Sequence, residues 1–192
     1  RALFLDLVRT AGVPDVRIAS AEALARLGDG ATAPALAEAL ARDDSALVRG
    51  ALLRTLETLG DARGFGAAAA ALRDPADLVR IAAAETLGRW RDARAAPALL
   101  ERYGELAAGA PDLPGDFVEH AAVLSALAAT RRPEALAAVR GELASAPAVR
   151  IRRASADALG RAADRSSIPA LVAALGAADE SVPAAALNAL QA

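Results

Sequence analysis

A leucine that returns at a near-constant interval constrains this chain more than any other feature. Leu24, Leu56, Leu87, Leu127, Leu159 and Leu190 follow one another at steps of 32, 31, 40, 32 and 31 residues. Eight positions ahead of them stand Val16, Val48, Val79, Glu119, Ile151 and Val182, and seven ahead stand Arg17, Arg49, Arg80, His120, Arg152 and Pro183. Five positions after come Asp29, Asp61, Asp92, Arg132 and Asp164, and sixteen after come Leu40, Leu72, Tyr103, Leu143 and Leu175. A period of this length, held in several columns at once, marks stacked supersecondary units that are each too small to bury an apolar face alone.

Within each unit the spacing predicts two helices. Apolar residues recur at three and four through Val16–Leu24, as on one face of a helix. Gly28-Asp29 and Gly60-Asp61 then read as a left-handed stop followed by a cap. Ten positions after the leucine stand Pro34, Pro97 and Pro169, which suit the first turn of a helix because the N–H that proline lacks has no partner there. Each unit is thus a helix–turn–helix of about 31 residues by its own spacing.

The phrase Val79-Arg80-Ile81-Ala82-Ala83-Ala84-Glu85-Thr86-Leu87-Gly88, with Asp92 and Ala96-Pro97-Ala98-Leu99-Leu100 after it, resembles the phycobilisome-lyase-type HEAT-like repeat. The resemblance implies an all-α fold, an α-α superhelix: a right-handed solenoid of about five stacked hairpins plus a half repeat at each end, twelve helices in all. The expected boundaries are a first helix at 1–12, repeats near 15–43, 46–74, 78–108, 117–145 and 149–177, and a half repeat at 180–192. One domain over 1–192 is expected, and the pattern opens and closes within a repeat, as in a piece of a longer protein. The long step is an insertion at 104–116, expected to lengthen a helix and then form a Pro/Gly loop.

Composition narrows the chemistry. The chain is 55% apolar but only 3% aromatic, with no Cys and no Met, and its apolar residues are mostly Ala and Leu, which favour closely packed helices. Without Cys there are no disulfides, thiolate metal sites or cysteine nucleophiles. A net charge of −2 provides no basic footprint for nucleic acid, and no apolar run reaches the length of a membrane span. No compartment is written in the sequence; a soluble, cytoplasmic chain is the default reading.

The sole histidine, His120, occupies the Arg column, and the nearest hydroxyl, Ser125, lies five residues on, the wrong spacing for one helix face. No catalytic residue, metal ligand or cofactor site is therefore expected. Within the same repeat class, a diiron hydroxylase carries repeated His-Glu pairs, which this chain lacks. A chromophore lyase-like role and a DNA-binding role remain alternatives that the resemblance allows. Trp90, Tyr103 and Phe65 fall in core columns. Asp43-Asp44 and Asp179-Glu180 mark helix starts at the junctions between units.

Two sets of residues carry structural and functional expectations. The first is a charge ladder across the seams, formed by Arg17, Asp29, Arg49, Asp61, Arg80, Asp92, Arg152 and Asp164, in which Asp29 meets Arg49 and Asp61 meets Arg80, while Asp92 meets His120 and Arg132 faces Arg152. The second is the outer face of the second helices, the concave side in solenoids of this type: Glu38, Arg63, Arg94, Glu101, Glu105, Glu134 and Ser166 on ground otherwise made of Ala, Gly and Ser. Such a face admits a partner backbone closely and lacks converging phosphate ligands. The reading is a non-catalytic scaffold for a peptide or protein, monomeric by default. A spacer or regulatory module of a larger protein is the alternative.

Overall fold

A computed structural model describes residues 1–109 and 114–191, and every regular element among them is helical. The all-helical fold read from the repeat columns is what the structure shows. The chain forms two compact units, Arg1–Trp90 and Arg91–Ala192.

The first unit contains α1 (Ala2–Thr10), α2 (Pro14–Leu27), α3 (Ala33–Arg42), α4 (Ala46–Leu59), α5 (Phe65–Ala70, closed by a 3-10 turn at Ala71–Arg73) and α6 (Asp77–Trp90). Helices α2, α4 and α6 pack side by side in one layer, and α1, α3 and α5 form the other. The second unit contains α7 (Ala96–Ala108), α8 (Pro114–Thr130), α9 (Pro133–Ser145), α10 (Val149–Ala162), α11 (Ile168–Ala174) and α12 (Ser181–Gln191). There α8, α10 and α12 pack in sequence, with α7, α9 and α11 against them.

The columns explain this layering. Leu24, Leu56, Leu87 and Leu127 are wholly buried and Leu159 nearly so, as are Val48, Val79, Ile151 and Val182 one helical face earlier. On the second helices Leu36, Leu40, Leu72, Leu99, Leu136 and Leu143 close the core from the other side. Each buried leucine contributes roughly 2 kcal/mol by removal of apolar surface from water. Alanine between them lets helices approach, and the limit is reached at Gly160 in α10, where an added Cβ would stand 2.7 Å from the Ala189 Cβ of α12.

The turns follow the local chemistry. The helix α2 ends at Gly28 (φ 65°) and α4 at Gly60 (φ 63°), in the left-handed conformation that glycine adopts without a steric penalty. Arg91, Arg131 and Ala163 take the same left-handed φ of 52°, 54° and 50°. Asp29, Asp61 and Asp92 then accept the amides of Ala31, Arg63 and Arg94 at 2.9 Å, capping a short 3-10 turn before the second helix. Proline follows in the first turn of α3, α7, α9 and α11.

The insertion differs from the expectation. Helix α7 does lengthen, to Ala108, but α8 already begins at Pro114, so Gly115 and Asp116 are helical and not loop. Proline in a first helical turn fits that earlier start. The expected loop residues 110–113 lie outside the described residues.

Candidate functional site

The arginine column is where the structure departs most from the expected pairing. Arg49 Nε and Nη2 donate to the two carboxylate oxygens of Asp74 at 2.7 and 2.8 Å, a bidentate fork. Arg17 pairs with Asp43 at 2.8 Å and Asp44 at 2.9 Å, and Arg152 with Asp179 at 3.3 Å. In every regular repeat Nη1 also donates to the carbonyl six residues earlier: Arg17 to Ala11, Arg49 to Asp43, Arg80 to Asp74 and Arg152 to Ala146, at 2.6–2.9 Å.

The expected ladder of Asp29 with Arg49 and Asp61 with Arg80 is therefore corrected. Side chains on a helix lean toward its N-terminus. An arginine in the first turn of α4 therefore reaches the junctions at that end, whereas Asp29 sits beyond the far end of α2, about 20 Å along a fourteen-residue helix. The capping aspartates serve their own turns: Asp61 pairs with Arg63 at 2.6 Å and Asp92 with Arg94 at 2.5 Å. The Arg63 side chain and its amide hold the Asp61 carboxyl down at about 2. Asp164 accepts the hydroxyls of Ser166 and Ser167, and Arg132 pairs with Glu134 at 3.1 Å without facing Arg152. Burial raises the Asp74 carboxyl, and the Arg49 fork with the Ala76 amide more than reverses it.

In the first unit these forks border a groove of about 410 Å³. Ala41, Ala67, Ala70 and Ala71 line it between the C-terminal ends of α3 and α5, with Asp43, Arg49, Arg73 and Asp74 at its edge. A smaller cleft of about 200 Å³ opens between α1 and α3 at Arg9, Glu38 and Arg42. The outer-face residues expected to meet a partner are all exposed, and most carry local counter-charges. Glu38 lies between Arg9 (3.1 Å) and Arg42 (2.9 Å). Arg63 and Arg94 hold their own capping aspartates, Glu105 pairs with Arg102 at 2.6 Å, and Ser166 receives Arg140 at 3.1 Å.

The second unit holds a polar cluster that reading column by column missed. Glu119 is 1% exposed in a column of Val and Ile, and Arg102 Nε donates to it at 2.6 Å. Beside it His120, also buried, stands edge-on to Tyr103 at 5.9 Å and 3.9 Å from a Glu142 carboxylate oxygen, and its Nε2 has no hydrogen-bond partner. Tyr103 donates its hydroxyl to that same oxygen at 2.9 Å. Burial pushes the Tyr103 phenol up to about 12, with the Glu142 hydrogen bond adding to it. Burial likewise pulls His120 below the ordinary histidine range, against the opposing pull of Glu142 and Glu119. The signal was three odd residues in three columns, Tyr103, Glu119 and His120, all in neighbouring helices.

Two bonds of this cluster are directed inward, Arg102 to Glu119 and Tyr103 to Glu142. Among the described residues no group of three or more His, Asp or Glu is placed to hold a metal ion, and no helix is long and apolar enough to cross a membrane. Trp90 and Phe65 are half-buried and stack on one another at 6.4 Å, with the indole N–H directed to the Glu57 carbonyl.

Comparison with known proteins gives a consistent family reading. HEAT repeats match residues 33–107, and the PBS lyase HEAT-like repeat matches 16–42 and 151–177. The chain is similar to a subunit in the complex of CpcE and CpcF of phycocyanin lyase from Nostoc sp. PCC7120, at 26% identity and a TM-score of 0.70, over 98% of this chain and 75% of that one. It is also similar in fold to an engineered protein, at 16% identity and a TM-score of 0.58, over 98% of this chain and 94% of that one. No curated protein matches the sequence.

Proposed function

We propose that this chain, a protein of HEAT and phycobilisome-lyase HEAT-like repeats, is a non-catalytic scaffold that binds a peptide or protein partner against its second helices. One observation carries the reading: the groove of about 410 Å³ in the first unit, lined by alanines beside the Arg49–Asp74 fork. Small side chains there let a partner backbone or helix come close. Arg49 beside it is committed to the Asp74 carboxylate and the Asp43 carbonyl, so the border provides shape and polarity more than a converging set of cations for phosphate. The similar lyase subunit occurs in a complex with a second protein, which agrees with a repeat surface used for assembly.

The test uses the full chain. Ala67→Arg and Ala70→Arg fill the groove at positions that are not buried. A partner captured by the wild type and by a control at the exposed Glu22 of α2, Glu22→Ala, but lost on both groove variants, supports the reading. Equal capture by all four chains removes the groove from it, and no capture at all favours a structural spacer.

The 26% identity across nearly the whole chain favours a second reading, a chromophore lyase-like subunit. It separates cleanly from the first. A lyase-like subunit changes the chromophore content of phycocyanin on mixing, read by visible absorbance, whereas a scaffold leaves that spectrum unchanged.

A further inference from the structure

On the other layer of the repeats, the outward positions of α8 and α10 contrast sharply. Counting from the leucine column, the solvent-facing set on α8 is Val118, Ala121, Ser125 and Ala129, with no charge among them. The same four positions on the adjacent α10 are Arg150, Arg153, Asp157 and Arg161. Val118 is 55% exposed, and the three arginines are exposed.

The arginines lean over this uncharged face of α8. The Arg150 guanidinium lies 5.8 Å above the Phe117 ring at the start of α8, and Arg161 Nη2 donates to Ser125 Oγ at 3.1 Å halfway along it. Arg153 is 4.0 Å from Asp157, the one carboxylate in the set. The result is an uncharged strip of small residues with an anchor at Val118, bordered along one side by three guanidinium groups, with Asp157 on α10 and Asp116 in the first turn of α8 as the carboxylates beside it.

We infer that this α8–α10 surface docks an acidic amphipathic helix of a protein partner. The strip accepts the apolar face of such a helix at close backbone approach, and the arginines meet glutamates or aspartates on its flank through planar, bidentate contacts. Three guanidinium groups beside two carboxylates, on a chain of net charge −2, are too few for the phosphate track of a nucleic acid. A membrane surface would find Val118 and, at the start of α10, Val149 as large exposed apolar side chains, fewer than anchoring needs. The site is independent of the groove in the first unit, so either can fail without the other.

The experiment titrates the full chain into a fluorescein-labelled synthetic helix bearing an Ala/Leu stripe flanked by glutamates, and into its twin with lysines for glutamates. The glutamate helix should bind about tenfold more tightly, as three partly exposed ion pairs provide. The triple variant Arg150→Glu, Arg153→Glu, Arg161→Glu should invert that order, and Val118→Asp should weaken binding of the glutamate helix, both with wild-type thermal melts. Equal binding of the two helices, binding of neither, or no inversion in the triple variant overturns the proposal. So does binding of duplex DNA or phosphatidylserine vesicles that the triple variant abolishes while the glutamate helix stays unbound.

Discussion

The carboxylate of Glu119, 1% exposed, accepts a 2.6 Å hydrogen bond from Nε of Arg102 on the facing helix. Taking the guanidinium away from a buried carboxylate is costly, so Arg102→Ala should lower stability by about 3 kcal/mol in a urea titration. Glu119→Val restores the residue usual in that column and leaves Arg102 its bond to Glu105, so the loss should be smaller. The double variant Arg102→Ala, Glu119→Val should lose less than the two single losses added together; a loss equal to their sum would show that the pair is not coupled.

His120 sets a pH dependence of definite sign. Its folded-state pKa lies below the unfolded value because burial opposes the charged form. The native state therefore binds fewer protons there, and the stability this provides is full above an unfolded pKa of about 6.5 and is lost as pH falls through the folded value. The melting temperature should fall between neutral and mildly acid pH, and His120→Gln should flatten that part of the profile. Losses that survive in the variant and set in only below about pH 4 belong to the paired carboxylates, whose pKa values are lowered.

The Arg49 fork is geometric as well as electrostatic. Lysine keeps the charge but loses the two parallel bonds to Asp74, so Arg49→Lys should cost about 2 kcal/mol and Arg49→Ala more. Arg63→Ala breaks an exposed pair and should leave the melting temperature unchanged within error. Comparable losses for Arg49→Lys and Arg63→Ala would contradict the assignment of the junction fork as the structural pair.

Close packing at Gly160 yields a fourth expectation. Gly160→Ala should destabilise by about 2 kcal/mol, as overpacking does, because its Cβ meets both Cβ and Cα of Ala189. Ala189→Gly should restore only part of this, since the Cα, 2.8 Å away, remains.

Periodicity made the helices legible: Leu24 to Leu159 in one column and proline at the second-helix starts identified the hairpins and the core. It did not make the partners of the arginines legible. Column spacing tells which residues are equivalent, while pairing depends on the direction in which a side chain leaves its helix; Arg49 leans back to Asp74, away from Asp29. The cluster of Arg102, Tyr103, Glu119, His120 and Glu142 was hidden for a related reason. His120 read as a stand-in within the Arg column and Tyr103 as a core residue, and only the packing of α7, α8 and α9 brings them together with Glu119 and Glu142.

The left-handed residues that close α2, α4, α6, α8 and α10 have one further consequence. The same bend is made five times, twice by glycine at 28 and 60 and three times by Arg91, Arg131 and Ala163. A side chain in that conformation costs roughly 1 kcal/mol relative to glycine, and the surrounding repeat is nearly constant. The molecule therefore carries its own matched series, in which the toll of a single methylene branch on chain reversal can be weighed five times within one background, and in which three glycine substitutions offer a ready route to a hardier variant.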